Sequence, residues 1–154
     1  MKRILVLKTN ADLWLLTKRL YSRLLPAEEY SNIGSYQHFY AFKAVDKSSR
    51  EGVYKGGVPF PDGSVVKDPN QIDYNSRLDC GAGLNLATLE WCSSYAAPYW
   101  DKNRIILKVK FNLDAICIPF ISDGKFRVQQ CEVIGQVDQR GRLIKKKVEE
   151  KKEE

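Results

Sequence analysis

The residues of this chain that could do chemistry are few, and none forms a strong catalytic signature. The sequence has no phosphate-binding glycine-lysine loop and no G-x-S-x-G, H-E-x-x-H or G-x-G-x-x-G motif. Its four cysteines, at positions 80, 92, 117 and 131, lack the paired spacing of zinc ligands, and His38 is the single histidine. We therefore expect no metal site, no cofactor and four reduced thiols, most of them in the core.

A short glycine-rich segment is a candidate for anion binding. Gly81 and Gly83 stand just before a segment of helical composition, and backbone N–H groups at the start of a helix can bind an anion. No Lys or Arg stands in the segment to assist. The alternative is that the glycines only form a tight turn into the helix.

The element that precedes all of these residues is predicted to be a basic, amphipathic helix. Thr9 and Asp12 have the form of a capping box and Pro26 is a natural stop, so we expect a helix over residues 11–25. Leucines recur on one face, and basic residues lie off that face. The apolar stripe contains Leu13, Leu16, Leu20 and Leu24, and the basic residues are Lys18, Arg19 and Arg23.

The remaining pattern predicts an α+β fold, with one mainly antiparallel sheet, this N-terminal helix and a second helix near residues 84–96. Strands are expected over residues 38–45, 104–111, 115–121 and 126–134, with a hairpin turn at 122–125. The apolar phase shifts near Gln129 and Gln130, which predicts a β-bulge. Residues 50–83 have turn chemistry and predict a long functional loop with a short hairpin around Asp62 and Gly63.

The positive charge lies at the two ends of the chain. Residues 1–25 carry a net +5 and residues 140–154 a net +3, whereas the rest carries −2. We predict one domain over residues 1–138 and a charged, flexible tail over 139–154. This distribution argues against a nucleic-acid-binding face on the body, and leaves only the terminal basic arms for such contacts.

The N-terminus and the hydropathy predict where the protein resides. No apolar run approaches the ~20 residues of a membrane span, and the first residues lack the pattern of a secretory signal. We therefore expect no transmembrane segment and a cytoplasmic location, which becomes the host cytoplasm or the virion if a phage encodes the protein.

The C-terminal half resembles a small domain found in bacteriophage and bacterial proteins. The resemblance rests on residues 80–91, 105–110, 123–128 and 131–134, and it covers roughly residues 78–138. The domain occurs in the C-terminal part of some phage proteins labelled as rIIB-like lysis-control proteins. Its pattern usually has a histidine where this chain has Asn85. The resemblance implies a phage or mobile-element origin, and it carries no activity.

A second resemblance is to ADP-ribosyltransferases, whose late strand carries a Gln-x-Glu or Glu-x-Glu pair. Gln130 and Glu132 have this form. The resemblance implies that Glu132 holds the ribose hydroxyl of NAD and stabilises an oxocarbenium-like transition state, with His38 as the second catalytic residue. The alternative is that both are ordinary strand residues. The implied cofactor contacts are Lys43, Gly81, Gly83, Asn85 and Gln130.

Three functional hypotheses follow. The leading one is a non-enzymatic, phage-type accessory or virion-associated protein that binds a protein partner through the long loop and the basic helix. The second is an ADP-ribosyltransferase-like enzyme or a degenerate nucleotide-binding relative, and the third is a peripheral protein that lies on a membrane through the basic helix. Exposure of Trp14 and Leu15 would favour a partner. The predicted partner-binding residues are Trp14, Lys18, Arg19 and Arg23.

Overall fold

The structure is a computed structural model that describes residues 3–54, 56–77 and 81–144. These residues contain eight strands and three α-helices. The strands form one mainly antiparallel sheet, which confirms the predicted α+β class. In chain order the elements are β1 (Arg3–Val6), α1 (Asn10–Leu20), a 3₁₀ turn (Ser22–Leu24), α2 (Ala27–Ile33), β2 (Tyr36–Asp46), β3 (Val65–Lys67), β4 (Leu84–Ala87), α3 (Leu89–Trp91) with a π-helical extension (Cys92–Ala96), β5 (Arg104–Phe111), β6 (Ile116–Cys117), β7 (Lys125–Val128) and β8 (Gln130–Val137).

Strand β2 is the middle strand of the sheet, and both of its edges are paired. One edge pairs antiparallel with β5 along most of its length. The other edge is divided among three partners: β1 runs parallel to its first half, Ala87 of β4 meets Phe42, and Gly52 of the following loop bridges to Val45. Alternate side chains of β2 therefore enter two separate cores, one containing Ala41 and the other Phe42.

The sheet is strongly curled. The strand order is β3-β8-β5-β2-β4-β7-β6, so three strands separate β7 from β8, although Gln129 alone lies between them along the chain. The sheet must bend back on itself to join them, and the rings of Phe111 and Phe126 meet across its interior with centroids 5.1 Å apart. The interior of the curl is filled by apolar side chains that include Leu7, Leu16, Leu86, Leu107, Val109 and Val133.

Gln129 forms the corner between β7 and β8. Its Nε2 donates to the carbonyl oxygens of Asp68 and Asn70 at 2.9 and 2.8 Å, and its Oε1 accepts from the N–H of Ile72 at 2.9 Å. One side chain therefore satisfies three backbone groups of the long loop, as such groups require when water is excluded. This loop is thereby attached to the sheet at the point where the chain changes strands.

Helix α1 begins as predicted and ends early. The N–H of Thr9 donates to the Asp12 carboxylate at 2.9 Å, which is one half of the predicted capping box. The α-helix stops at Leu20 rather than residue 25. The tighter 3₁₀ turn Ser22–Leu24 follows it, and Leu25, the residue before Pro26, is extended. Leu24 is consequently 82% exposed and does not belong to the apolar stripe.

The predicted second helix over residues 84–96 is wrong in its first half. Leu84–Ala87 forms β4 and pairs with β7, so that Leu84 and Leu86 face the curled interior. The helix begins only after Thr88, whose Oγ1 accepts from the N–H of Trp91 at 3.1 Å and caps it. The alternation of apolar residues needed for a strand and the spacing needed for a helix overlap here, and pairing with β7 selects the strand.

Two local predictions about turns are corrected. The segment around Asp62 and Gly63 does not form a hairpin of its own, because β3 pairs with β8. The predicted bulge at Gln129 and Gln130 is instead the corner just described, and the register shift of β8 lies opposite Lys108 and Val109 of β5. The predicted hairpin is present only in part: β6 pairs antiparallel with β7, but β6 is limited to Ile116–Cys117, and residues 118–124 connect the strands in place of the tight turn expected at 122–125.

The predicted tail begins in an ordered turn. Asp138 accepts from the N–H groups of Arg140 and Arg142, and the N–H of Ile144 donates to Gln136 of β8 at 2.9 Å. The carboxylate has a lowered pKa because of these hydrogen bonds, of which that with the Arg142 N–H is the strongest cause. The rest of the predicted tail, residues 145–154, lies outside the described residues.

The corner side chain can be tested by substitution. We expect Gln129→Ala to lower the free energy of unfolding by about 2–4 kcal/mol, because three backbone groups lose their partner. Gln130→Ala is the matched control and should cost less than about 1 kcal/mol, since the Gln130 side chain makes no hydrogen bond to the residues that the structure describes. The measurement is urea denaturation followed by circular dichroism. Equal losses for the two variants would contradict the role assigned to Gln129.

Candidate functional site

The residues predicted to be catalytic do not share a cleft. Glu132 is an exposed residue of β8 opposite Lys110 of β5, and His38 lies beside Ile4 on β2. Because β5 stands between β2 and β8, the two backbones are separated by two strand spacings, about 10 Å. Lys43 belongs to the opposite face of β2, where its Nζ lies 5.4 Å from the centroid of the Phe60 ring.

The predicted cofactor contacts are only partly assembled. Lys43, Gly83 and Asn85 line one small cavity of about 20 Å³, which has room for about one water molecule. Lys43 and Asn85 also line a larger cavity of about 440 Å³. Gln130 lies elsewhere, in a shallow depression that it shares with Glu132. A dinucleotide would require contacts from all of these positions at once, and none of these three cavities supplies them.

The glycine segment leads into a strand, so it is not the start of a helix. The N–H of Gly83 donates to the Asp68 carboxylate at 3.0 Å, and this carboxylate occupies the place that a bound anion would need. Gly83 has a φ of +128°, and a Cβ on it would approach Ile72 and Arg127 at 3.1 and 3.3 Å. Its role is therefore a tight turn and a close approach of backbone to neighbouring side chains.

The predicted partner-binding residues of α1 separate into two groups. Trp14 is 60% exposed, and Arg23 is exposed in the 3₁₀ turn. Lys18 and Arg19 instead support the fold: the Lys18 Nζ lies 3.1 Å from the Glu29 carboxylate, and the Arg19 Nε donates to the carbonyl of Tyr36 at 3.1 Å. Leu15, the second residue proposed as an indicator, is partly buried against the core.

Trp14 lies on one side of an apolar groove that we call the α1 groove. Helix α1 forms one wall, residues 116–122 form the other, and Tyr74 and Ser76 of the long loop complete it. The volume is about 480 Å³, and none of the described residues that line it is charged. Large side chains around it are exposed, at 61% for Tyr21, 54% for Tyr74 and 76% for Phe120. Such a concentration is unusual, because the exposed apolar residues of a protein surface are usually scattered singly.

A buried arginine that the sequence analysis missed holds this groove in shape. Arg127 is fully buried, and its guanidinium donates to the carbonyls of Asp73 and Asn75 and, at 3.0 Å, to the Cys117 Sγ. It thus ties the loop that carries Tyr74 to strand β6. The only signal in the sequence is a charged residue between Phe126 and Val128 of a strand, which by itself is read as a solvent-facing position.

The apolar face of α1 is not available to a membrane. Leu13 and Leu16 are buried in the core, and the helix has 11 residues. No helix within the described ranges is long and apolar enough to cross a bilayer. The hypothesis that the basic helix lies on a membrane surface therefore lacks the exposed apolar stripe that it needs.

Comparisons with known proteins add no relative. No protein-family model, no curated protein and no solved structure matches this chain. The resemblances to a phage domain and to ADP-ribosyltransferases consequently remain predictions from the sequence motifs.

The described cysteines are buried in the core, and burial raises the pKa of two of them. Cys92, Cys117 and Cys131 are free and buried. Burial raises the pKa of the Cys92 and Cys131 thiols from 9.0 to about 12, against the opposing effect of the Lys43 charge. Both therefore remain protonated at neutral pH, and neither has the thiolate character of a nucleophile.

These pKa shifts predict a loss of stability in alkali. In the unfolded chain the two thiols lose their protons above about pH 9, whereas the folded chain retains them up to about pH 12. The contribution of the two thiols to the free energy of unfolding is constant below about pH 9. Above about pH 9, each thiol should lower the free energy of unfolding by about 1.4 kcal/mol per pH unit. Urea denaturation between about pH 8 and about pH 11 measures the slope. The variant Cys92→Ala/Cys131→Ala should lack this part, and an unchanged slope would contradict the shifts.

Proposed function

We propose that this chain is a non-enzymatic protein-interaction domain that binds an amphipathic helix of a partner protein in the α1 groove. The observation that carries the proposal is the ring of exposed aromatic side chains, Trp14, Tyr21, Tyr74 and Phe120, around an uncharged groove. Trp and Tyr are enriched among the residues that dominate binding energy at protein interfaces. The volume of about 480 Å³ can accept a few large apolar side chains.

The walls of the groove favour recognition of side chains over addition of a strand. The backbone groups of α1 are hydrogen-bonded within the helix, so this wall presents side chains only. On the other wall the N–H of Phe120 donates to the carbonyl of Ser76 at 2.7 Å and is not open to a partner strand. A helix that presents apolar residues at positions i, i+3 or i+4, and i+7 fits such a groove, whose helical wall is about 16 Å long.

The charges beside the groove favour an acidic partner. Arg23 is exposed two residues after the lining residue Tyr21, and Arg77 is exposed directly after the lining residue Ser76. An exposed acidic residue, Asp123, directly follows the lining residue Ser122. Residues 1–25 also carry a net +5. Acidic residues at the ends of the bound helix would raise the association rate and fix its orientation.

The setting of the proposal comes from the motif resemblance. The likeness of residues 78–138 to the phage domain supports a phage-type accessory or virion-associated protein. Such a protein would act in the host cytoplasm or in the virion. The enzymatic alternative has no comparable support, because His38, Lys43 and Glu132 are dispersed over two faces of the sheet.

Selection from a display library of ~16-residue peptides tests the groove directly. We expect the selected peptides to be amphipathic and acidic, and we expect Trp14→Ala/Phe120→Ala to weaken their binding at least about tenfold, measured by fluorescence anisotropy. The matched control is Tyr99→Ala/Trp100→Ala, which removes one exposed phenol ring and one exposed indole, neither of which lines the groove. The control should bind within about twofold of the wild type.

Two results would overturn the proposal. One is selected peptides that bind both double variants equally, which would place the interaction elsewhere. The other is a concentration-dependent dimer in sedimentation that Trp14→Ala/Phe120→Ala abolishes, because a second copy of the chain would then be the occupant.

A further inference from the structure

A cavity of about 440 Å³ opens where β2 and β4 diverge. The two strands pair at Phe42 and Ala87, and beyond this point β2 pairs with the loop instead, with Gly52 opposite Val45. The gap between the strands is open on the face of the sheet whose core contains Phe42. Its volume falls within the range of small-molecule sites.

The strand register places an apolar floor and one amide on this same face. Phe42 and Ala87 are directly paired, so their side chains point to one side of the sheet. Ala44 and Asn85, each two residues away along its own strand, point to that side as well. Cys92, at the start of the π-helical extension, completes the floor, and all of these residues are buried except Asn85, which is half-buried. A ligand on this floor would therefore lie on apolar groups, with the amide at one side.

The wall of the cavity is aromatic, and its rings are held in place by the protein. The Trp91 ring meets the Tyr54 ring edge-on with centroids 6.0 Å apart, and the Tyr95 ring lies 6.2 Å from it. The backbone N–H of Trp91 donates to the Thr88 Oγ1 at 3.1 Å, and the Tyr54 hydroxyl donates to the carbonyl of Tyr95 at 3.4 Å. Because these rings are ordered before binding, they offer a flat ligand a contact surface at little cost in entropy.

The Asn85 amide is an uncharged polar group that a ligand on this floor would meet. Its side chain makes no hydrogen bond to any residue that the structure describes. A ligand on the floor would exclude water from this amide, and a polar group that loses water without a new hydrogen bond weakens binding. An amide accepts through its oxygen and donates through its nitrogen, so it matches a ring edge with an N–H beside a C=O.

The two lysines that line the cavity already interact with groups of the protein. The Lys43 Nζ lies 5.4 Å from the centroid of the Phe60 ring, on the opposite face of β2, and the Lys125 Nζ lies 5.3 Å from the centroid of the Trp91 ring. Each of the two side chains has a further interaction as well. Since moving a charged ligand out of water is costly, the apolar lining favours a neutral one.

We infer that this cavity binds a neutral, planar heteroaromatic compound whose ring edge carries an N–H beside a C=O, which is the edge of an aromatic lactam. The ring lies on the Phe42 and Ala44 floor against the Trp91 wall, and its edge pairs with the Asn85 amide. A keto nucleobase and other aromatic lactams share this chemistry. Binding here is independent of the proposed partner binding, because the cavity and the α1 groove share no lining residue.

Isothermal titration calorimetry with matched probes tests the inference. The probes are thymidine, which carries a nucleobase, and 2-quinolone, which does not. The control for each is the same compound with a methyl group in place of the ring N–H hydrogen. We expect at least one of the two lactams to bind with a Kd below about 1 mM. Its methylated control should bind at least about fivefold more weakly, because the hydrogen bond to the Asn85 oxygen is lost.

Matched variants locate the binding. Asn85→Leu should weaken the bound lactam at least about fivefold, and it should also abolish the difference between the lactam and its methylated control. Tyr54→Ala should weaken the lactam at least about fivefold, since part of the aromatic wall is removed. Asn103→Leu and Tyr99→Ala are the controls, because both residues are exposed and neither lines the cavity, and they should leave the Kd unchanged.

Each outcome bears on the inference. Binding of thymidine alone identifies a nucleobase as the ligand, binding of 2-quinolone alone identifies another aromatic lactam, and either result supports the inference. It is overturned if neither lactam binds with a Kd below about 1 mM, or if the methylated control or Tyr54→Ala weakens binding less than about fivefold. Tyr54 is 67% exposed, so its variant keeps the test valid even if Asn85→Leu does not fold.

Discussion

The division of one edge of β2 among three partners is the constraint on which the rest of the structure depends. A strand paired along both edges by full-length neighbours would form a continuous sheet with no opening. Here β1 takes the first half of the edge, β4 meets it at Phe42, and the loop takes the end near Val45. Because β4 leaves β2 so early, it can turn toward β7 and carry the sheet around, and the space between β2 and β4 becomes a cavity of about 440 Å³.

The curl of the sheet is closed by polar side chains rather than by a continuous ladder. Gln129 satisfies three backbone groups of the long loop at the corner between β7 and β8, and Arg127, two residues earlier, satisfies carbonyls of the same loop farther along. Each is a buried or half-buried polar group with its hydrogen bonds made inside the protein. A long loop with little regular structure is thereby given a fixed course, which places Tyr74 beside α1.

The two candidate sites follow from different parts of this arrangement. The α1 groove exists because α1 covers the interior with Leu13 and Leu16 and leaves Trp14 outside, while Phe120 projects from the segment after β6. The cavity between β2 and β4 exists because a gap in strand pairing is covered by Trp91 and Tyr54. The α1 groove is lined by uncharged residues of a helix and a loop, whereas the cavity between β2 and β4 has a largely apolar and aromatic lining.

The sequence by itself determined the elements whose signals are local. Strand β5 was predicted with its observed bounds because its alternation is regular, and the start of α1 was predicted from its capping residues. It also identified Trp14 as a residue to examine. Tertiary structure alone decided that Leu84–Ala87 is a strand, because pairing with β7 outweighs its helical spacing. It also separated His38 and Glu132 across β5 and brought Arg127 to the loop, since contacts between residues distant in sequence leave no local pattern to read.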